Sequence, residues 1–397
     1  MKQASPWLFR ALYFLIFITI FGDFIANEKP IVCKLDDTWH FPVLRQYAVD
    51  TGFDEWEAKF VNTPWQEQDY QFKLLPPVPY SYHTQDQKNT GYISPFGEQE
   101  VASWRYWHWL GTDKLGRDVL AGMIAGTRTA LLVGLLAMGI ASFIGIFLGA
   151  MAGYFGNDRL RISWIQLLFT LLGLGLGFFW AFIARAYLFE DNFLLEVAKS
   201  VLILLFLTSI FSTVGAMLAR LPLLQASLFF PMDSLVLRLI EILRSIPGIL
   251  ILLSVLSLIK APSVLYVMLI IGFLTWTGIA RFTRSELLRI RELDYISAAR
   301  AAGLHEARIL IRHALPNVLP PVLIAIAFGI ASAILLEASL SFLGIGLSPN
   351  AVTWGTMLKD AYRQISAWWI GVFPGLGIFF TVTVFNLLGE HLTRQRS

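Results

Sequence analysis

The sequence predicts an all-α, polytopic membrane protein, and three observations carry that expectation. Of its 397 residues, 56% are apolar and 15% charged, where soluble domains run nearer roughly 45–50% and about 25%. Eight apolar stretches approach the roughly 20 residues that a helix needs to cross a hydrocarbon core, and a bilayer offers backbone groups no partners outside a helix or a closed barrel. Lys and Arg also gather in short segments between those stretches. Residues 281–313 hold seven Arg (281, 284, 289, 291, 300, 308 and 312) against four acids (Glu286, Glu292, Asp294 and Glu306), the asymmetry that fixes orientation in membranes.

In chain order the stretches are roughly 8–27, 129–154, 163–188, 198–220, 235–259, 263–281, 318–343 and 368–390. Residues 1–27 form an N-terminal tail and the first transmembrane helix. Lys2 and Arg10 before Leu12–Phe21 imitate a secretory signal, but a cut after Ala26 would leave bulky Phe24 at the −3 position, so a retained helix is expected. Residues 28–128 are read as an extracytoplasmic loop domain with the lead-in to the second span. Trp39, Trp56, Trp65, Trp104, Trp107 and Trp109 alternate there with Pro42, Pro64, Pro76, Pro77, Pro79 and Pro95. Residues 28–118 carry nine basic and fourteen acidic side chains, a net of −5. Residues 129–156 form the second span. Residues 157–232 are a pair of hydrophobic helices whose first member is weakened by Gly173, Gly175 and Gly177, leaving two full spans or a re-entrant hairpin. Residues 233–397 form the core, with a cytoplasmic loop over 282–316. Arg159 and Arg161, Arg394 and Arg396, and the 281–313 loop place both termini in the cytoplasm and 28–118 outside.

Most tempting chemistry fails its context. The formal net charge of +3 comes with no basic run that could track a phosphate backbone, so no nucleic-acid partner is expected. The six histidines (40, 83, 108, 305, 313 and 391) lack paired metal spacing, and neither metal nor cofactor is predicted. Gly111-x4-Gly116 is followed by Arg117-Asp118 rather than Lys and Ser or Thr, so it is no phosphate loop. Cys33 is alone and cannot form an intrachain disulfide. Gly145, Gly149 and Gly153 repeat at four-residue spacing, which lets a neighbouring helix approach closely. Ionisable groups inside spans are costly and mark function by default. Glu241 between Arg238 and Arg244 is expected to pair within its own helix, Asp23 to sit at the interface, and Glu337 to pair across helices or line a path.

The stretch Leu293–Pro316 reads LDYISAARAAGLHEARILIRHALP. Ala298, Ala299, Ala301 and Ala302 favour a short helix stopped by Gly303. A second helical run begins near His305 and is expected to end at Leu315-Pro316. A rigid, alanine-faced helix between two spans has the shape of a segment that docks into a groove on another protein.

Here the sequence resembles the ABC importer permeases, whose EAA loop follows the pattern EAA-x3-G-x9-I-x-L-P. Ala298, Ala299, Gly303, Leu315 and Pro316 match it, while Ser297 replaces the Glu and His313 the Ile. Arg312–Asn317 resembles the RHxLPN of the dipeptide and oligopeptide branch. Gly111–Asp118 is similar to its GTDxxGRDV segment. Glu337–Gly346 with Pro349 and Trp354-Gly355 is similar to its E-x2-LSFLGxG-x2-P-x4-WG signature. Ile25–Pro30 with Trp39–Pro42 resembles oligopeptide permeases that also admit peptide antibiotics. The resemblance covers about 28–156 and 233–397, and residues 157–232 depart from it as an insertion of around 75 residues.

This resemblance implies an ABC type I importer permease fold with an inserted helical pair, in a bacterial cytoplasmic (inner) membrane. It implies a transport subunit for oligopeptides or dipeptides rather than an enzyme, with ATP hydrolysis supplied by separate chains. Its partners would be a homologous second permease, two ABC ATPase subunits, an extracytoplasmic solute-binding protein, membrane lipid and a peptide substrate. Ser297, Ala298, Ala299, Ala302, Gly303, Leu315 and Pro316 would form the ATPase-coupling site, and Glu337 and Ser341 would lie on the translocation path. A stand-alone transporter or channel driven by an ion gradient is the alternative; inverted repeats and ion-site spacing of acids within spans, its marks, are not seen.

Overall fold

The computed structural model describes residues 6–57, 60–61, 63–190, 193–221, 226–259, 263–345 and 351–394. Lys2, Gly346, Pro349 and Arg396 lie outside the described residues. Helices dominate, and among the described residues seven are long and apolar enough to cross a membrane, with one further bent pair. The chain divides into two compact units. One contains residues 1–140, 262–275 and 323–397, the other 141–261 and 276–322.

The first unit begins with α1 (Pro6–Ile25), followed by a small mixed domain. Its antiparallel sheet has the order β2-β1-β3, from β1 (Val32–Leu35), β2 (Thr38–His40) and β3 (Phe72–Leu74). Asp36 and Asp37 join Leu35 to its cross-strand partner Thr38, both with positive φ (46° and 60°). A two-residue hairpin turn that matches strand twist requires that conformation, and Asp tolerates it. Cys33, Leu35, Phe60 and Trp65 form the domain core, with Phe60 stacked on Trp65 at 4.8 Å. The alternation that encodes these strands spans only three or four residues, too few to stand out in a chain this apolar.

Helix α2 (Pro42–Asp50) ties this domain to the spans. Its Tyr47 hydroxyl donates to Asp23 of α1 at 2.6 Å, and Asp23 also takes Arg128 at 2.7 Å. Burial and the Asp23 hydrogen bond push Tyr47 up to about 12. Arg128 belongs to α3 (Val119–Phe155), which starts ten residues before the expected 129. Gly122, Gly126, Thr127 and Arg128 disguise that first part as loop. Its 37 residues give a rod of roughly 55 Å, well beyond the hydrocarbon thickness.

The Gly111–Asp118 motif is the socket that receives this helix. Asp118 Oδ1 accepts the Ala121 amide at 2.7 Å and caps α3, while Oδ2 meets His108 Nδ1 at 2.9 Å. Asp113 Oδ1 accepts the amides of Leu115 and Arg117, closing the turn on itself. Gly116 has φ +77°, and a side chain there would collide with the carbonyl of Asp86.

In the second unit the apolar pair forms a hairpin. Helices α4 (Trp164–Phe178, continued by a π turn to Ile183) and α5 (Phe193–Leu218) pack antiparallel. Gly173 lies against Thr208 and Phe211, Gly177 against Leu204, and Gly215 against Gln166 and Phe169. Gly173 and Gly177 therefore do not break α4; four residues apart, they form its contact face. Both helices are long enough to cross. At the base, β4 (Arg161–Ser163) pairs antiparallel with β5 (Ser227–Phe229). Below the ladder the Asp233 amide donates to Gly156 O at 3.2 Å and the Ser234 amide to Asn157 Oδ1 at 3.0 Å. The chain thus leaves at Gly156 and returns at Asp233 to a neighbouring point.

The single span expected over 235–259 is two helices, α6 (Met232–Ser245) and α7 (Gly248–Ser257), bent by 76°. Pro247 causes the break: it lacks an N–H, and it forces Ile246 into an extended conformation (φ −104°, ψ 130°). Arg238 pairs with Glu241 at 2.7 Å as expected, but Arg244 reaches Thr277 instead, at 3.4 Å. Helix α8 (Val264–Ile290) then leads to the elbow described next.

Candidate functional site

The elbow follows α8 as α9 (Asp294–Ala301), a turn at Ala302–Leu304, and α10 (Glu306–Ile309). Asp294 in the first turn of α9 and Arg300 in the last complement the helix dipole. The Gly303 amide donates to Arg300 O, and the residue's φ of +78° is the left-handed stop that glycine adopts most cheaply. His305 caps α10 through Nδ1, which accepts from Ala307 N at 3.3 Å.

The second helical run does not end at Leu315-Pro316, contrary to expectation. A π turn over Leu310–Ala314 carries it into α11 (Leu315–Leu343), with the Leu315 amide bonded to Leu310 O. The wider turn shifts the register by one residue just where Pro316 cannot donate, so the proline sits in the first turn of the next regular segment.

The elbow has two contrasting faces. Ser297, Ala298, Ala302 and Gly303 are exposed and Ala299 is half-buried, which leaves a smooth surface of small side chains. Leu315 is half-buried and Pro316 exposed, both one turn beyond the elbow at the start of α11. On the other face Ile290, Ile296 and Ile309 are buried.

Polar contacts brace that inner side. The hydroxyl of Tyr154, buried at the end of α3, donates to Glu306 Oε2, and Arg300 Nε donates to Glu306 Oε1 at 2.8 Å. The Glu306 carboxylate holds the Arg300 guanidinium above its ordinary value. Asn317 reaches the Tyr295 hydroxyl at 3.2 Å. Sequence reasoning missed Tyr154, Arg300 and Glu306 as a group. A first-turn Glu reads as an ordinary dipole residue, and 152 positions separate it from the tyrosine.

Behind the elbow runs a glycine seam. A side chain at Gly145 would meet Trp276 O at 2.8 Å, one at Gly149 would collide with Ala280 O, and one at Gly153 would meet Arg284 O at 2.7 Å. The three glycines thus bring α3 against α8 at backbone distance. Arg284 on α8 forks onto both carboxylate oxygens of Asp233 at the start of α6.

The two candidate path residues lie in the other unit. Glu337 and Ser341 are buried one turn apart on α11, with the Ser341 hydroxyl on Glu337 Oε1. Ser341 also borders a cavity of about 260 Å³ that Asp113, Arg117, Thr356, Asp360 and Arg363 line. Three of these, Thr356, Asp360 and Arg363, belong to α12 (Trp354–Arg363), which opens on a capping box between Thr353 and Thr356. Burial raises the Asp360 carboxyl above its usual range, against the opposing charge of Arg117, whose Nη2 stands 3.9 Å away. Trp369 on α13 (Trp368–Arg394) donates to Thr112 O at 3.1 Å. No group of three His, Cys, Asp or Glu side chains suited to a metal occurs among the described residues.

Residues 212–397 match the family described as binding-protein-dependent transport system inner membrane component. The inner membrane ABC transporter permease protein YejE of Escherichia coli is 25% identical over 391 residues, spanning 97% of this chain and 90% of its own length. The peptidoglycan transport system permease protein YejE of Agrobacterium fabrum is 26% identical over 96% of this chain and 84% of its own. The dipeptide transport system permease protein DppC of Alkalihalophilus pseudofirmus is 28% identical over 72% and 70%. With spanning helices, a glycine-packed seam and a small-residue elbow between two long helices, the chain is a permease subunit of the ABC-transporter class.

Proposed function

We propose that this permease carries peptides inward across a bacterial cytoplasmic membrane, driven by ABC ATPase subunits that grip the elbow. The exposed small-residue surface at Ser297, Ala298, Ala302 and Gly303 carries the reading, because it is smooth, braced from behind and left uncovered by the chain's own side chains. Ala299, Leu315 and Pro316 complete the coupling site. Relatives named for dipeptide, di/tripeptide and glutathione transport support peptides as the substrate class.

In this reading one homologous permease completes the path, two ATPases sit beneath the pair, and a soluble binding protein delivers peptide from outside. Both termini and the elbow face the cytoplasm and residues 28–118 face outward, an orientation that the Arg distribution supports. ATPase closure pulls on residues 293–306, and the two permeases rock between inward-open and outward-open forms. Glu337 and Ser341 border the path, and the inserted hairpin is an accessory at the edge of the core.

Replacing Ala298 and Ala302 together by Trp tests the reading, because both side chains are exposed and the fold should tolerate the change. The expected result is normal membrane yield with ATPase co-purification reduced at least tenfold, equivalent to ~1.4 kcal/mol. Undiminished ATPase recovery with the doubly substituted chain would sink it.

A further inference from the structure

The elbow is anchored within its own unit by one carboxylate that serves three helices. Glu306 opens α10, takes Arg300 of α9 on Oε1 and takes the Tyr154 phenol of α3 on Oε2. Tyr154 is wholly buried, and its neighbour Gly153 lies against the Arg284 backbone of α8. The Arg291 guanidinium also reaches Gly153 O, at 3.4 Å. The end of α3 is therefore clasped by α8, which leads into the elbow, and by Glu306, where the chain leaves it. We infer that Tyr154 is a positioning residue for transport: through Glu306 it makes the cytoplasmic half of α3 follow the elbow when the elbow moves.

The chemistry suits a transmitted displacement. Both Glu306 oxygens are engaged from different helices, so the carboxylate cannot rotate away from one partner without straining the other. A hydrogen bond to an ionised acceptor is short and directional, whereas the apolar contacts of Ile296 and Ile309 can slide at little cost. This pattern has no Glu at Ser297, and the carboxylate that braces the elbow stands nine residues later.

The inference rests on the reading that ATPases grip the elbow, and the test separates the two. The assembled importer would be followed by hydrogen exchange, with and without ATP and vanadate, over residues 294–303 and 141–155. In the unsubstituted complex both segments should respond. Tyr154→Phe keeps the ring and loses only the hydroxyl, so ATPase recovery and the 294–303 response should persist. The 141–155 response should fall at least about fivefold, the lower end of usual site-to-site coupling. Glu306→Gln keeps one oxygen for Arg300 and turns an amide N–H toward the phenol oxygen, which can accept it, so it should preserve the α3 response, while Glu306→Ala should lose it. An α3 response unchanged in Tyr154→Phe or in Glu306→Ala overturns the inference. An unsubstituted complex in which 294–303 ignores ATP overturns the functional reading instead.

Discussion

Glycines bring helices to backbone distance in two places in the second unit, with opposite consequences. Along α3 and α8 the seam of Gly145, Gly149 and Gly153 sits in the permease core, and 44% of the most apolar window of α8 is buried. In the α4–α5 hairpin Gly173, Gly177 and Gly215 make contacts just as close, yet only 6% of the corresponding window of α5 is buried. Leu202, Phe206 and Trp180 stay exposed, as on helices that lipid surrounds. The same local device thus builds a structural axis in one case and a self-contained pair in the other. The β4–β5 ladder explains how such a pair can be carried, because it returns the chain beside the point where it left.

The largest effect should come from Gly149→Leu. Its Cβ would collide with Ala280 O and fall 2.8 Å from Thr283 Cβ. Two rigid backbones cannot yield, so the cost should exceed the ~1–3 kcal/mol of ordinary overpacking. Detergent-extracted chain should aggregate on size exclusion and recover no ATPase.

Gly173→Leu should act more weakly, although its Cβ would lie 2.7 Å from Phe211 Cβ. The hairpin should part, lowering the melting temperature while ATPase recovery stays normal. Loss of ATPase binding would erase the distinction between core and accessory. Deleting residues 164–226 and closing the β4–β5 ladder with a two-residue turn should likewise preserve ATPase binding, measured by the same co-purification. Gly175→Leu should be nearly silent in both assays, since among the described residues no atom beyond its own stretch of helix lies within 4 Å of its added Cβ. A clear loss there would mean that the outer side of α4 is covered by another helix of the assembled importer.

The helical spans and the elbow were legible because period and composition act locally. Twenty apolar residues call for a helix whatever surrounds them, and alanines followed by Gly303 call for a short helix with a stop. The bend at Pro247 was encoded locally too, but hydrophobicity hid it: Ile246 and Gly248 continue the apolar run, and only the missing N–H of one residue divides it. Pro316 misled in the other direction. A proline ends a regular α-helix, and the π turn before it removed the conflict. The strands of the mixed domain stayed invisible because each spans three or four residues and is completed by partners up to 42 positions away, as Val32 is by Leu74.

The sequence by itself determined that the chain spans a membrane, where its positive segments lie, and that a small-residue elbow interrupts its later spans. These follow from solvation of backbone and charge, which each segment feels alone. Only the tertiary structure decided which glycines face a partner, that the α4–α5 pair folds onto itself beside a closed ladder, and that Glu306 joins Tyr154 to Arg300. Those depend on residues brought together across 152 positions in one case and more than sixty in the other, and distance in space is set by packing, which no local pattern contains.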